Sequence, residues 1–162
     1  MADQISLAPR RLPRPLRRPL LTLHIVASVG LLGAVSASLA IAVRAATTDD
    51  AALADAAYDL LAMSSAVFGI PLSVVALGTG LAMAIGGPWS VLRTPWVTAK
   101  LVLLASVMLN GALILSPALD TVRAGGADLG GRIVASTAWG VLALAAATAL
   151  SVYRPGRARG RT

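Results

Sequence analysis

The side chain best suited to do chemistry inside an apolar segment of this sequence is His24. It is the only histidine among the 162 residues, and Ser28 lies on the same helical face one turn further along. An imidazole in this position is suited to ligating haem iron or a metal, or to relaying protons. Because one chain has one histidine, a haem would need a methionine as its second ligand, or a second copy of His24 across a dimer. The methionines within apolar segments are Met63, Met83 and Met108.

A structural role for His24 is the alternative, with a hydrogen bond to a neighbouring helix or to lipid headgroups. Asn110, inside another apolar segment and on the same face as Ser106, raises the same choice. Because lipid offers no hydrogen bonds, the amide of Asn110 needs a partner on another helix, and it acts either as structural glue or as a contact for a substrate or ion. Lys100 is long enough to reach the headgroups, which favours a structural role.

Most catalytic classes are excluded by composition. The chain has one histidine, no cysteine, no glutamate and no pair of carboxylates within its apolar segments, so we expect neither a Ser-His-Asp triad nor a metal-hydrolase motif. The Gly78–Gly80 sequence GTG is too short for a phosphate-binding loop. We therefore predict a protein that is not an enzyme and holds no resident cofactor or metal, apart from the haem or metal hypothesis at His24.

The elements that must position these residues are four long apolar runs. Apolar residues make up 57% of the chain, charged residues 13%, and the mean hydropathy is +0.79. A helix needs about 20 apolar residues to cross a bilayer, and each run is about that long. The sequence predicts an all-α integral membrane protein, a four-helix antiparallel bundle in residues 20–153. The predicted spans cover residues 20–43 (span 1), 60–85 (span 2), 97–116 (span 3) and 133–153 (span 4).

The distribution of charge predicts the orientation of these spans. The N-terminal tail 1–19 is basic and rich in proline, which predicts an extended segment, and the C-terminal tail 154–162 is also basic. With four spans, both tails and the 86–100 connection share one side, which carries 11 cations, whereas the opposite side carries 3 cations and 6 aspartates. The positive-inside rule places both termini in the cytoplasm. The basic tails are expected to bind anionic lipid headgroups, not nucleic acid.

The connection between spans 2 and 3, from Gly86 to Lys100, predicts a hairpin at the cytoplasmic membrane surface. Its tryptophans and cations are typical membrane-interface anchors. These anchors are Trp89, Arg93, Trp96 and Lys100. Arginine supplies 13 of the 14 cations, a bias typical of high-GC bacteria, so we expect a bacterial inner (plasma) membrane. Span 1 is 24 residues long, longer than the ~7–15 of a signal peptide, although a cleaved signal is the alternative.

Prolines, caps and small residues predict local features of the spans. Pro71 should kink span 2, and Pro117 should close span 3 ahead of a flexible loop over 118–132. Thr48 or Asp49 should cap the helix leading into span 2, and a second capping role is expected for Asp59. Stripes of small residues predict close helix packing. They comprise Gly30, Gly33 and Ala37 in span 1, Ala62, Ser65, Gly69, Ser73, Ala76 and Gly80 in span 2, and Ser136, Gly140, Ala143 and Ala147 in span 4.

Three stretches also resemble a known family. They are LHIVASVGLLGA in span 1, LGTGLAMAIGGPWSVLRTPWVTAKLVLL across the hairpin, and SPAL at the end of span 3. Over about residues 20–120 the chain resembles a family of small bacterial predicted integral membrane proteins that is defined only as a domain of unknown function. The resemblance implies four spans and a plasma-membrane location, and it implies no activity.

Three functional hypotheses follow from these residues. The first is a non-enzymatic structural or interaction component of the membrane, which packs with itself or with a larger membrane complex. The second is a haem- or metal-associated redox or sensing protein that uses His24. The third is a small-solute transporter or channel component that uses Asn110 and the Pro71 kink. The sequence does not choose a substrate, an oligomer or a partner.

Overall fold

The chain folds as an all-helical, antiparallel four-helix bundle, as the sequence predicts. The computed structural model describes residues 13–85 and 95–153. The helices are α1 (Arg14–Thr47), α2 (Ala51–Ser64), α3 (Ile70–Ile85), α4 (Pro95–Asn110), α5 (Ser116–Arg123) and α6 (Gly130–Tyr153). Span 1 is α1 and span 4 is α6. Span 2 consists of α2 and α3, joined by a π-helical turn at Ser65–Gly69, and span 3 consists of α4 and α5, joined by a second π-helical turn at Gly111–Leu115. Each of the four spans is long and apolar enough to cross a membrane.

Span 1 is the central element of the bundle, because it packs along both span 2 and span 4. Span 4 packs in turn against span 3. Spans 2 and 3 meet at their two ends, where α2 contacts α5 and α3 contacts α4. The bundle is therefore built as two helix pairs, 1–2 and 3–4, joined mainly through the contact of span 1 with span 4.

The best-packed part of the bundle lies at the end where span 1 passes into span 2. Its core combines small side chains with a few large ones, so the helices approach closely. The core residues are Ala42, Ala45, Ala57, Tyr58, Leu61, Ala118, Leu119 and Ile133. A Cβ built on Gly130 would lie 2.9 Å from the hydroxyl oxygen of Tyr58, so a larger residue here would displace the Tyr58 side chain.

The predicted stripes of small residues are buried or partly buried in spans 2 and 4, whereas the three members in span 1 are exposed. Ser73 and Ala76 of span 2 are buried, and so are Ser136, Gly140 and Ala143 of span 4. In span 1, Ala37 is exposed and a Cβ built on Gly33 would have nothing within 4 Å. Gly30 does pack against span 2, because a Cβ built there would lie 3.4 Å from Cδ1 of Leu72. The prediction of packing inside the bundle was therefore wrong for Gly33 and Ala37. The buried positions of this helix are Ala27, Leu31, Ala42 and Ala45.

Helix α1 begins earlier than the sequence predicts, inside the segment expected to be an extended tail. It starts at Arg14, with Pro15 in its first turn and Pro19 inside the helix. A proline in the first turn costs little, because the N–H it lacks would have no partner inside the helix. The backbone N–H groups of Leu16 and Arg17 donate to the carbonyl of Pro13, which establishes the first turn.

Pro117 does not close span 3, which corrects the sequence prediction. Residues 118–123, expected to be loop, continue the helix as α5. In the π turn before it, the N–H of Ser116 donates to the carbonyl of Gly111, five residues back. Span 2 repeats this arrangement, because Ile70 donates to Ser65 directly before Pro71. A proline that follows a π turn meets a helix already widened by one residue, so both helices continue past it.

The start of α2 also differs in detail from the prediction. Its N-cap is Asp50, whose carboxylate accepts from the N–H groups of Ala52 at 3.0 Å and Leu53 at 3.3 Å. Thr48, one of the predicted caps, instead accepts from the N–H of Asp50 at 3.3 Å. The helix therefore begins within the predicted segment but one or two residues later than expected.

Candidate functional site around His24

His24 joins span 1 to span 2. Its ring is partly buried, and Nδ1 lies 3.0 Å from the carbonyl oxygen of Ala76 and 3.0 Å from the hydroxyl oxygen of Thr79. Ala76 and Thr79 are both buried positions of α3. Their three-residue spacing places them on one helical face, so both contact the same ring nitrogen.

The partners of Nδ1 determine which nitrogen of His24 carries the proton. The carbonyl of Ala76 is only an acceptor. The hydroxyl of Thr79 lies 2.6 Å from the carbonyl oxygen of Val75 and donates its hydrogen there, so towards His24 its oxygen accepts. Nδ1 therefore carries the hydrogen and donates to both partners, and Nε2 keeps an unshared electron pair in the neutral ring.

Gly80 packs against the edge of the His24 ring. A Cβ built at this position would lie 3.0 Å from Cε1 of His24, closer than nearly all real Cβ contacts. Glycine therefore lets α3 approach the imidazole closely. Sequence reasoning missed Thr79, and it identified Gly80 only as a member of the packing stripe of span 2, not as a neighbour of His24. The available signal was the spacing of Ala76, Thr79 and Gly80, which puts a small, polar face opposite His24.

The remaining nitrogen of His24 is accessible. Among the described residues, Nε2 has no hydrogen-bond partner. Every buried side-chain nitrogen or oxygen in that part of the chain does have a partner. It follows that Nε2 is not enclosed. Lys100 lies in the first turns of α4, which contacts α3, the helix that carries Ala76 and Thr79, and its Nζ is 6.0 Å from the centre of the Trp96 ring. Three spans thus contribute to this cluster.

Two of the four predicted interface anchors can be placed. Trp96 and Lys100 are both partly buried in the first turns of α4. Trp89 and Arg93 lie outside the described residues, as do residues 1–12 of the predicted tail 1–19 and the whole of the tail 154–162. The interfacial role of all four anchors stays a prediction.

Asn110 makes a second polar contact between spans. Its Nδ2 donates to the carbonyl oxygen of Ser136 at 3.0 Å and to the hydroxyl oxygen of the same residue at 2.8 Å. Ser136 is buried in α6. Asn110 therefore joins span 3 to span 4, with one carbonyl and one hydroxyl as partners, just as His24 joins span 1 to span 2.

An ion pair lies at the opposite end of the bundle, between spans 2 and 3. Nε of Arg123 is 2.6 Å from a carboxylate oxygen of Asp59, and both side chains are substantially exposed. Asp59 is the ninth residue of α2 and so does not cap it, contrary to the sequence prediction. The pair borders an open groove of about 600 Å³. The groove is lined by Ala56, Asp59, Leu60, Ala62, Met63, Ala66 and Arg123.

Within residues 13–85 and 95–153, no group of three or more histidine, cysteine, aspartate or glutamate side chains is arranged to hold a metal ion. In that part of the chain, the accessible Nε2 of His24 is a single electron-pair donor. The arrangement is suited to a ligand that needs one protein donor, or to a purely structural tie between helices.

The fold defines the class of protein. Four antiparallel helices, each apolar over the length of a bilayer and each satisfying its own backbone hydrogen bonds, form a multi-pass integral membrane protein. The chain belongs to the family described as predicted integral membrane protein (DUF2269), whose model matches residues 19–153. This confirms the resemblance seen over residues 20–120 and extends it through span 4. Comparison with curated proteins and with solved structures finds no match.

Proposed function

We propose that this protein is a non-enzymatic component of the bacterial plasma membrane that acts by associating with a second copy of itself through span 1. The observation that carries the proposal is the outward face of α1. Its members are spaced three and four residues apart and are all exposed. They are Gly33, Ser36, Ala37 and Ala40, named here the Gly33 face.

The Gly33 face differs from the small-residue stripes of spans 2 and 4, because it has no neighbour among residues 13–85 and 95–153. Ser73 and Ala76 in span 2, and Gly140 and Ala143 in span 4, are used inside the bundle. A Cβ built on Gly33 would meet no atom within 4 Å. Small residues let membrane helices approach closely and gain van der Waals contact, which lipid chains do not match as well. A symmetric contact between two Gly33 faces would let the two copies of α1 approach closely, as the small residues of spans 2 and 4 do within the bundle.

The polar groups of the spans support a stable unit that associates as a whole. Nδ1 of His24 and the amide of Asn110 are both engaged in hydrogen bonds between helices. These contacts tie span 1 to span 2 and span 3 to span 4. Self-association through the outer surface of α1 would leave both contacts in place.

The proposed membrane and orientation rest on charge. The 11 cations on the side of the tails and hairpin, against 3 on the other, favour cytoplasmic termini. In this orientation the His24 cluster lies towards the cytoplasm, and the Asp59–Arg123 pair lies towards the outer surface. The basic tails would then be able to bind anionic headgroups.

The test compares two glycines that are both open in the single chain. Gly33 and Gly78 each have nothing within 4 Å of a built Cβ, and both are exposed. Gly33→Ile should weaken self-association about tenfold or more, whereas Gly78→Ile on span 2 should leave it unchanged. The chain has no cysteine, so Ala124→Cys gives one labelling site for energy transfer between copies in liposomes.

Both variants should keep the thermal stability of the parent protein in detergent, since neither side chain displaces a neighbour. A parent protein that stays monomeric as the lipid-to-protein ratio is lowered would overturn the proposal. So would a Gly33→Ile variant that associates as strongly as Gly78→Ile.

A further inference from the structure

We propose that His24 is an axial ligand for haem iron, with Nε2 as the coordinating atom and Lys100 as the partner of a haem carboxylate. This inference goes beyond self-association and does not depend on it. It rests on three observations: which ring nitrogen carries the hydrogen, which other metal-ligating side chains are assembled nearby, and the position of Lys100 on span 3.

The imidazole is held as metal-ligating histidines are held. Nδ1 donates to the backbone carbonyl of Ala76 and to the hydroxyl of Thr79, each at 3.0 Å. A hydrogen bond of this kind, from the nitrogen that does not bind metal, sets the tautomer and the ring orientation in metalloproteins and makes the other nitrogen more basic. Gly80, packed against Cε1, leaves the ring little freedom to turn. Nε2 is thus pre-oriented as an electron-pair donor.

Nε2 is also within reach of a ligand. It has no hydrogen-bond partner among the described residues. Because every enclosed side-chain nitrogen or oxygen there does have a partner, Nε2 is not one of the enclosed atoms. A purely structural histidine needs only the Nδ1 contact, which already joins the helices. Nε2, by contrast, makes no hydrogen bond between helices in the described part of the chain.

The donor set selects the class of ligand. A bare metal ion takes several protein ligands, and no group of three histidine, cysteine or carboxylate side chains is assembled in residues 13–85 and 95–153. Haem iron arrives with its own equatorial nitrogens and needs only one or two axial donors from protein. The broad apolar faces of a porphyrin also suit a site on membrane-spanning helices.

Lys100 supplies the complement to the acidic edge of haem. It lies in the first turns of α4, and α4 contacts α3, the helix whose Ala76 and Thr79 accept from the His24 ring. The nearby indole of Trp96, with its ring centre 6.0 Å from Nζ, adds an aromatic surface beside the ammonium. A porphyrin coordinated at Nε2 would therefore have a cation close to where its carboxylates meet the headgroup region.

The single histidine of the chain allows a test without any substitution. Protein purified without a polyhistidine tag, labelled with ¹⁵N-histidine and loaded with hemin in mild detergent, has its label at His24 alone. Pulsed electron paramagnetic resonance should detect coupling of this ¹⁵N to the iron, and the Soret band should move from its position for hemin in detergent. Absence of the ¹⁵N coupling, or an unchanged Soret band, would overturn the proposal.

Variants separate coordination from non-specific uptake. His24→Ala should abolish the Soret shift, whereas Thr47→Ala, which removes a hydroxyl bonded only to the carbonyl of Val43 in its own helix, should retain it. Size-exclusion chromatography and far-UV circular dichroism establish that each variant is folded. Equal binding of hemin and metal-free protoporphyrin, insensitive to His24→Ala, would show partition into apolar surface and overturn the proposal.

The role of Lys100 has its own readout. Lys100→Gln should weaken hemin binding about fivefold and leave the binding of hemin dimethyl ester unchanged, since the ester has no charged carboxylates. An equal loss for hemin and its ester would overturn the carboxylate contact. The ¹⁵N coupling at His24 would still decide the iron contact independently.

Discussion

Nδ1 of His24 and the hydroxyl oxygen of Thr79 lie 3.0 Å apart and join span 1 to span 2. The amide of Asn110 and the hydroxyl of Ser136, 2.8 Å apart, join span 3 to span 4 in the same manner. Each donor also has a backbone acceptor: His24 donates to the carbonyl of Ala76, and Asn110 donates to the carbonyl of Ser136. A substitution can remove the hydroxyl while the carbonyl remains, which makes each contact measurable.

Thr79→Val should lower the free energy of unfolding by about 0.5–1.5 kcal/mol, because it removes one acceptor of the His24 N–H while nearly preserving shape. Reversible unfolding in mixed micelles, followed by tryptophan fluorescence, measures the change. Thr148→Val is the matched control, since Thr148 is an exposed residue whose hydroxyl donates to the carbonyl of Leu144 in its own helix. Equal losses for the two variants would contradict an interhelical role for Thr79.

Asn110→Leu should lower the free energy of unfolding by about 1 kcal/mol, because both hydrogen bonds to Ser136 are lost and leucine has a similar volume. The same unfolding assay applies. Ser106→Ala, which removes a hydroxyl bonded to Leu103 in its own helix, is the control and should change stability less. Unchanged stability together with a loss of solute flux in liposomes would instead favour the transport hypothesis.

Gly140→Ala should destabilise the bundle by about 1–3 kcal/mol through overpacking. A Cβ at this position would lie 2.9 Å from Cγ1 of Val35, at the contact of span 4 with span 1. Gly78→Ala adds the same methyl group where nothing lies within 4 Å and should cause no loss. Comparison of the two unfolding curves checks the prediction, and a stable Gly140→Ala variant would contradict the close approach of these helices.

Labelling of single cysteines should report the proposed orientation. Ala124→Cys, between spans 3 and 4, should react with an impermeant maleimide in intact cells, because this side carries few cations. Ser90→Cys in the hairpin and Thr162→Cys in the C-terminal tail should react only after the cells are permeabilised. Reaction of Ser90→Cys from outside would reverse the topology, and with it the cytoplasmic position of the His24 cluster.

The number and type of elements were predictable from sequence, whereas several of their ends were not. Four apolar runs of bilayer length predict four helices, since a backbone in lipid must satisfy its hydrogen bonds within each segment. The ends depend on local geometry that composition does not reveal. Pro117 was expected to end a helix, but the π turn over Gly111–Leu115 accommodates it.

Part of the candidate site was also predictable. The sequence singled out His24 and Asn110, because polar side chains within apolar runs are rare and need partners. It did not identify those partners. Thr79 and Ser136 lie 55 and 26 residues away from them along the chain. Which hydroxyl meets which polar group depends on how the helices are paired and rotated.

The sequence by itself therefore determined an all-helical, four-span membrane protein and the few polar residues worth attention. Only the tertiary structure decided which face of each helix looks inward. In a soluble protein apolar residues identify the buried face, but in lipid the outer face is as apolar as the inner one, so shape complementarity decides. Gly80 meets the ring of His24, whereas Gly33, equally a glycine in a small-residue stripe, faces away from the bundle.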